Sequence, residues 1–258
     1  MRETERLQLE SQLVGEIYDA ALESARWPRV LQHIAEAADF SRVNLILLDH
    51  LNPAFNLLLG HGTTQAEYDR YVEGGFADLD MALSLKWPNF RDPGTLIPSY
   101  EAFGSHENWM RTAGRLYDEF YQFIDSEYHL GGSLEVGEFR WSILSMHRGK
   151  ASPLFDQGCI EFSNRMAQHI RRALQIHRQL TFVRQQNVRL HGLLEKISVG
   201  VLLLNGYGQV RFATPKADRL MSSVRAIQVG LNGSLRAVNK DENCNGQVKQ
   251  DRFLGSVS

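Results

Sequence analysis

Cysteine is scarce, with only Cys159 and Cys244 in 258 residues. That excludes a disulfide framework or a cysteine-rich zinc site and suits a reducing cytoplasm. Neither sign of charge dominates: 28 basic residues face 30 acidic ones, for a net charge of -2. A global electrostatic footprint for nucleic acid or an anionic membrane is therefore lacking. Long apolar runs are missing too. The longest, around Leu45–Leu48 and Val199–Leu204, fall far below the ~20 residues of a spanning helix. Met1–Glu10 is polar and acidic, without the apolar centre of a signal peptide. These absences predict a cytoplasmic protein without membrane contact.

Catalytic and metal signatures are also lacking. His61 and His106 have no second histidine at ligand spacing, and His169 and His177 miss the i, i+4 step that would let them share a metal. There is no H-E-x-x-H, G-x-S-x-G or P-loop. Gly206-x-Gly208 lacks the third glycine of a dinucleotide fingerprint and sits in a hairpin instead of opening a helix. Asp78-Leu79-Asp80 puts two carboxylates on one side of an extended segment, which without a partner base reads as a loop acid pair. No catalytic residue, cofactor or metal is expected.

What is present is material for a core: 43% of residues are hydrophobic and 10% aromatic, which excludes a disordered chain. Residues 5–24 form an amphipathic pattern through Leu9, Leu13, Ile17, Ala20 and Ala21, broken at Trp27-Pro28. A second helix buries Val30, Leu31, Ile34, Ala35 and Ala38. The period then changes to strands at Arg42–His50 and Phe55–Leu59, joined by turn residues. Thr64-x-x-Glu67 is a capping-box spacing that opens a helix over 65–73, ended by Gly74-Gly75. Residues 76–100, with Pro88, Pro93 and Pro98, read as irregular. Ser105 caps a helix running to about Ile124. Tyr128–Val136 and Phe139–His147 are strands joined by Gly137-Glu138; apolar residues on both faces of the second predict a central strand.

Ser152-Pro153 marks the next helix start. From Phe155 the positions Cys159, Phe162, Met166, His169, Ala173, Ile176, Leu180, Val183, Asn187, Leu190, Leu194 and Ile197 follow in steps alternating four and three. That is a heptad seam of about six heptads. At 1.5 Å per residue the helix is ~64 Å long. Asn187 falls at an a position, where a buried amide fixes register. The seam Ile176, Leu180, Val183, Asn187, Leu190 and Leu194 reads as a parallel dimer stalk, or else as an amphipathic helix packed on its own sheet with Asn187 exposed. Further on, Asn205-Gly206 is a hairpin turn, Thr214-Pro215 opens a short helix, and Val224–Val238 holds short strands around Asn232-Gly233. From Asn239 the tail is polar, aperiodic and expected to be disordered. Trp87, Trp109, Tyr117, Tyr121 and Trp141, with Phe90 and Phe120, cluster in the middle segment. They either line a small-molecule pocket or pack as core.

Three stretches carry a family resemblance: LVGEIYDAALESARWPRVLQHIAEA at 13–37; YDEFYQF at 117–123 leading to LSMHRGKASPLFD at 144–156; and HIRRALQIHRQL at 169–180 followed by LLEKISVGVLLLNGYGQVRFATPKADRLM at 193–221. The order of elements resembles a GAF-like sensor domain, and the last stretch resembles the opening of a PAS-like domain. Together they resemble bacterial transcription regulators of the LuxR type. Thr214 stands where the family often has asparagine after alanine, and it can still cap the helix. The family's closing helix-turn-helix has no counterpart after Met221.

The resemblance implies an α+β fold: a GAF-like sensor domain over 1–150, a long coiled-coil helix over 153–197, an incomplete PAS-like segment over 198–238 and a tail over 239–258. It implies the sensory and dimerisation portion of a regulator, without its own helix-turn-helix and with no direct DNA contact. The partners would be a small-molecule ligand and a second chain, in a homodimer or heterodimer through the long helix. The other readings are a stand-alone interaction protein without ligand, and an enzyme with a cleft around Asp78, Asp80 or His106.

Overall fold

The computed structural model describes residues 3–196, 199–224, 227–230 and 233–237. The chain forms two compact units, Met1–Phe182 and Val183–Ser258.

The first unit is a three-layer α+β structure. Helices α1 (Glu3–Leu22) and α2 (Trp27–Ala38) lead into strand β1 (Arg42–Asp49) and then β2 (Leu57–His61). Helices α3 (Gln65–Glu73) and α4 (Phe76–Ser84) follow, then a short strand β3 (Ile97–Pro98) and helices α5 (Ser99–Ala102) and α6 (His106–Ala113). A π-helical turn, Tyr117–Tyr121, precedes the long strands β4 (Tyr128–Val136) and β5 (Arg140–Arg148). Helix α7 (Gln157–Lys196) closes the unit and continues into the second. The sheet is antiparallel, in the order β2-β1-β5-β4-β3. Strand β5 is thus central, as the apolar character of both its faces predicts.

Strand alternation decides what each sheet face meets. Val43, Leu45 and Leu47 of β1, Leu144 and Met146 of β5, and Leu130 and Leu134 of β4 share one face. Against them pack Leu13 and Ile17 of α1, Trp27, Leu31 and Ile34 of α2, and Phe162, Met166, Ile170 and Leu174 of α7. Each fully buried large side chain there contributes roughly 1.5–3 kcal/mol. The opposite face lies under α3–α6 and the π turn, whose own cluster includes Phe76, Leu83, Trp109, Leu116, Phe120 and Tyr121.

Several expectations are corrected. Residues 76–100 contain α4, β3 and α5. Gly75, at φ 65°, turns the chain straight from α3 into α4, and all three prolines fall beyond Ser84. Asp78 and Asp80 are therefore helical, not extended. The helix from Ser105 stops at Ala113, because Gly114 takes φ 53° and ψ -125° and the chain restarts as the π turn. Helix α7 begins at Gln157, four residues after Pro153. Its cap is Asp156, whose Oδ1 accepts from the backbone N–H of Cys159 at 2.7 Å. Phe155 precedes the helix and packs against Phe40 and Tyr100 instead. The β4–β5 connection is longer than two residues: Val136 pairs with Trp141, and Gly137 donates to the carbonyl of Arg140. The expected capping box is present, with Thr64 and Glu67 bonded reciprocally.

A bulge between Ser133 and Glu135 shifts the β4 register. It turns Glu135 to the face of Ser142, where Arg178 of α7 forms a two-pronged ion pair with it, Nη1 to Oε1 at 2.6 Å and Nη2 to Oε2.

The second unit holds the end of α7, the hairpin β6 (Leu202–Leu204) and β7 (Val210–Ala213), helix α8 (Pro215–Val224), and the hairpin β8 (Ile227–Val229) and β9 (Leu235–Ala237). Thr214 caps α8 as expected, its Oγ1 accepting from Ala217 N at 3.3 Å. The Leu194 side chain, Ile197, Asn232, Val238 and the tail from Asn239 lie outside the described residues.

Candidate functional site

Between the second sheet face and the helical layer lies a cavity of about 870 Å³. Its floor is the sheet. Reading across the registers, one cross-strand row is His147–His129, and the next is Gly60–Asn44–Ser145–Gly131. Then come Leu58–Ile46–Ile143–Ser133 and finally Leu48–Trp141. All of these residues line the cavity. The floor is therefore polar at one end of the strands and apolar at the other. Ile46, Leu48, Ile143 and Trp141 stay only half-buried, although they sit inside the sheet, because they face the cavity instead of packed side chains.

The roof comes from α3, α4, α6 and the π turn, through Tyr71, Asp80, Met81, Trp109, Phe120 and Tyr121. Asp80 accepts from the Tyr71 hydroxyl and from the Tyr121 hydroxyl, each at 3.0 Å. Burial raises the Asp80 carboxyl above its ordinary value, and the two donated hydrogen bonds oppose that shift. Burial and the neighbouring Asp80 together hold both phenols protonated. The Tyr121 ring stands 4.4 Å from that of His129, so the roof carboxyl lies over the polar end of the floor. Leu58, Tyr68 and Val72 line the cavity yet remain exposed, which marks its opening. At the apolar end, Met81, Phe90 and Trp141 also border a second cleft of about 540 Å³, which includes Arg91, Pro93 and Gly137.

His129 and His147 form the buried polar end, with ring centroids 4.2 Å apart. Burial lowers His129 to about 4 and His147 well below its ordinary value, so both rings are neutral at neutral pH. They share Ser126, whose Oγ lies 3.0 Å from His129 Nε2 and 2.5 Å from His147 Nδ1.

Of the aromatic residues singled out in the sequence, Trp87, Trp109, Tyr121 and Trp141 line this one cavity. Tyr117 does not. It is buried behind the wall, donating its hydroxyl to Glu127 at 2.8 Å. His106 is engaged with the same Glu127, at 2.8 Å, and Asp78 is exposed on α4. Asp78 and Asp80 thus both border the cavity, Asp78 with its side chain exposed, while His106 is not on its wall. Among the described residues no group of three or more His, Cys, Asp or Glu is placed to hold a metal. None of the described helices is long and apolar enough to cross a membrane. Sequence reading took Asp80 only as half of a loop acid pair and passed over Asn44, His129, Ser145 and His147 altogether. A signal for these four was available: they are polar residues recurring at strand period among apolar ones.

Along the dimer seam read in the sequence, Cys159, Phe162, Met166 and Ala173 are buried in the first unit's own core. Ile176 packs partly against that core, and Leu180 is half-buried. Val183, Asn187 and Leu190 are exposed.

No protein-family model and no curated protein matches the sequence. Among solved structures the chain is similar to the LBD domain of VqsR from Pseudomonas aeruginosa, at 13% identity and a TM-score of 0.47, over 66% of this chain and 96% of that one. It is also similar to CepR2 from Burkholderia cenocepacia, described as an N-acylhomoserine lactone dependent LuxR family transcription factor, at 13% identity and a TM-score of 0.43, over 67% of this chain and 98% of that one.

Proposed function

We propose that the first unit is the sensory domain of a LuxR-type transcription regulator. It holds one small amphiphilic molecule between the sheet and the helical layer. The carrying observation is the cavity itself: about 870 Å³, floored by an apolar half and a polar half and left unfilled by side chains. Ligand pockets commonly span roughly 300–1,000 Å³ with apolar walls and a few convergent polar groups. Half-exposed Ile46, Leu48, Ile143 and Trp141 forgo burial worth roughly 25 cal/mol per Å², and a bound apolar chain would restore it. The site reads as a binding site, not a catalytic one. Ser126, the hydroxyl bonded to both histidines, is buried at 1% exposure and is not on the cavity wall.

We further propose that α7 pairs with a second chain through Val183, Asn187, Leu190 and Leu194, continuing the seam of Ile176 and Leu180. Ligand contacts that differ between two arrangements of α7 would then shift the regulator between states. Glu135, just past the cavity residue Ser133, meets Arg178 of α7 and supplies a direct mechanical link.

The test is a set of thermal melts of the full chain with N-acylhomoserine lactones of increasing acyl length, alongside simple alkyl amides. A ligand at about 100 times its Kd adds roughly 2.7 kcal/mol of stability, a rise of several degrees for a domain this size. Melts unmoved by every compound, together with native mass spectra free of any co-purified small molecule, would leave only the ligand-free interaction protein.

A further inference from the structure

Helix α3 walls the open side of the cavity with almost no hydrophobic burial of its own. None of its residues is buried: Glu67 and Tyr71 are half-buried, and Ala66, Tyr68 and Val72 stand exposed. Gln65, Tyr68, Tyr71 and Val72 nevertheless line the cavity. The other roof elements are anchored by large buried side chains: Phe76 and Leu83 in α4, Trp109 in α6, and Phe120 and Tyr121 in the π turn. An element that lacks such anchors sits at the low-stability end of a fold and opens locally before the rest unfolds.

What holds α3 in place is a set of clasps. Arg42 of β1 donates twice to Glu67, from Nη1 to Oε2 at 3.0 Å and from Nη2 to Oε1 at 2.7 Å. The same guanidinium donates to the carbonyl of Ile124, just past the π turn, from Nη2 at 2.8 Å and Nε at 3.2 Å. Arg70 donates to the carbonyl of Glu119 at 3.0 Å and lies 4.1 Å over the Phe123 ring. Tyr71 reaches inward, donating to Asp80 and standing 5.1 Å from the Phe120 ring. Arg42, Glu67, Arg70 and Phe123 are not on the cavity wall. The segment is bounded by glycines at positive φ, Gly62 at 79° and Gly75 at 65°. Around Gly75 a side chain would meet nothing within 4 Å, so the chain has room to turn there. Small residues at the ends of an element commonly absorb the dihedral change of a moving segment.

We infer that α3 is a lid, hinged at Gly62 and at Gly74-Gly75 and latched shut by the Arg42–Glu67 and Arg70–Phe123 contacts. A guest enters and leaves when the latches part, while the sheet and the rest of the roof stay folded. The latch residues stand off the wall and touch no guest, and the lid is shut both before and after binding. Weakening a latch therefore speeds entry and exit together and leaves the affinity nearly unchanged. This rests on the cavity being a ligand site, as proposed above.

The experiment uses the full chain and the fluorescent apolar probe N-phenyl-1-naphthylamine. Titration gives the Kd of the probe, and stopped-flow mixing and dilution give its association and dissociation rates. Glu67→Gln keeps an oxygen for the Thr64 cap but removes the charge that Arg42 holds. Phe123→Ala removes the seat of Arg70 at a position that is 55% exposed. Each is expected to raise both rates about tenfold, equivalent to ~1.4 kcal/mol of latch, while Kd moves by less than about threefold. Glu73→Gln, exposed on the same helix, is expected to keep the parent's rates. Hydrogen exchange without any probe gives a second readout: amides of residues 68–73 should exchange about a hundredfold faster than those of β5, or more. The melting midpoint of each variant checks that its fold persists. Unchanged rates in both latch variants overturn the inference, as does an α3 protected as firmly as β5. A weaker Kd carried by dissociation alone also overturns it, making Glu67 or Phe123 a contact to the guest instead of a latch. If the probe does not bind at all, the cavity reading falls first and the lid falls with it, an outcome distinct from a probe that binds at unaltered rates.

Discussion

His129 and His147 are the residues whose chemistry departs most from the ordinary. Both are kept neutral by burial, so folding excludes protons that the unfolded chain would bind below about pH 6.5. Above that pH neither ring contributes a pH dependence. As pH falls from there towards about 4, each buried ring costs roughly 1.4 kcal/mol of stability per pH unit. Asp80 acts in the opposite sense. Its raised carboxyl holds a proton that the unfolded chain has already lost, so acidification towards the ordinary carboxylate range restores stability. Urea titrations between pH 7.5 and 4.5 should therefore show a loss of stability below about pH 6.5. His129→Gln, whose amide N–H can still meet the Ser126 carbonyl, should flatten that loss by up to about 1.4 kcal/mol per unit. Asp80→Asn should steepen it. A parent profile flat across this range would mean that the rings are not shielded from water as drawn.

At the scale of the element, what the sequence revealed and what it hid have separate physical causes. Strands β1, β4 and β5 were legible because each is a short run rich in strand-forming residues bounded by turn residues, as Val43, Leu45, Ile46, Leu47 and Leu48 are before Asp49–Pro53. The cap at Thr64 was legible because its partner Glu67 lies within one turn. Helix α4 was hidden behind two glycines that look like a loop, and only the backbone shows Gly75 turning straight into a helix. The β4 bulge leaves no compositional mark, yet it re-aims Glu135 towards Arg178. Gly114 was read through as one more helical residue. Its φ of 53° with ψ of -125° is a conformation that side-chain-bearing residues strongly disfavour. Gly114→Ala should therefore cost about 1–3 kcal/mol in urea unfolding. The strain falls on the junction that sets Phe120 and Tyr121 against the cavity, so the variant should also weaken ligand-induced thermal stabilisation. A variant as stable as the parent would show that the chain can run α6 into the π turn without this kink.

For the whole molecule the question is what covers the later part of α7. Its early seam positions, Cys159, Phe162, Met166 and Ala173, are consumed by the first unit's core, a use that the heptad spacing could not distinguish from pairing. Beyond it the same four-and-three steps continue through residues with no such cover: Val183 is 54% exposed and Leu190 55%, with Phe182, Val188 and Leu193 exposed beside them. A helix packed only on its own sheet has no need to keep the spacing there, whereas a two-stranded coil requires it. Asn187, at an a position between Val183 and Leu190, would align two parallel copies at some cost in stability. Sedimentation should accordingly find a concentration-dependent dimer in the parent. Leu190→Asp places a charge in the seam, where a buried unpaired charge is strongly unfavourable, and should shift the chain to monomer. Because Leu190 is exposed in the single chain, the first unit's unfolding in urea should move by no more than about 0.5 kcal/mol, the usual span for surface substitutions. A parent that stays monomeric at high micromolar concentration would remove the seam as an interface, while leaving the cavity to be judged on its ligands alone.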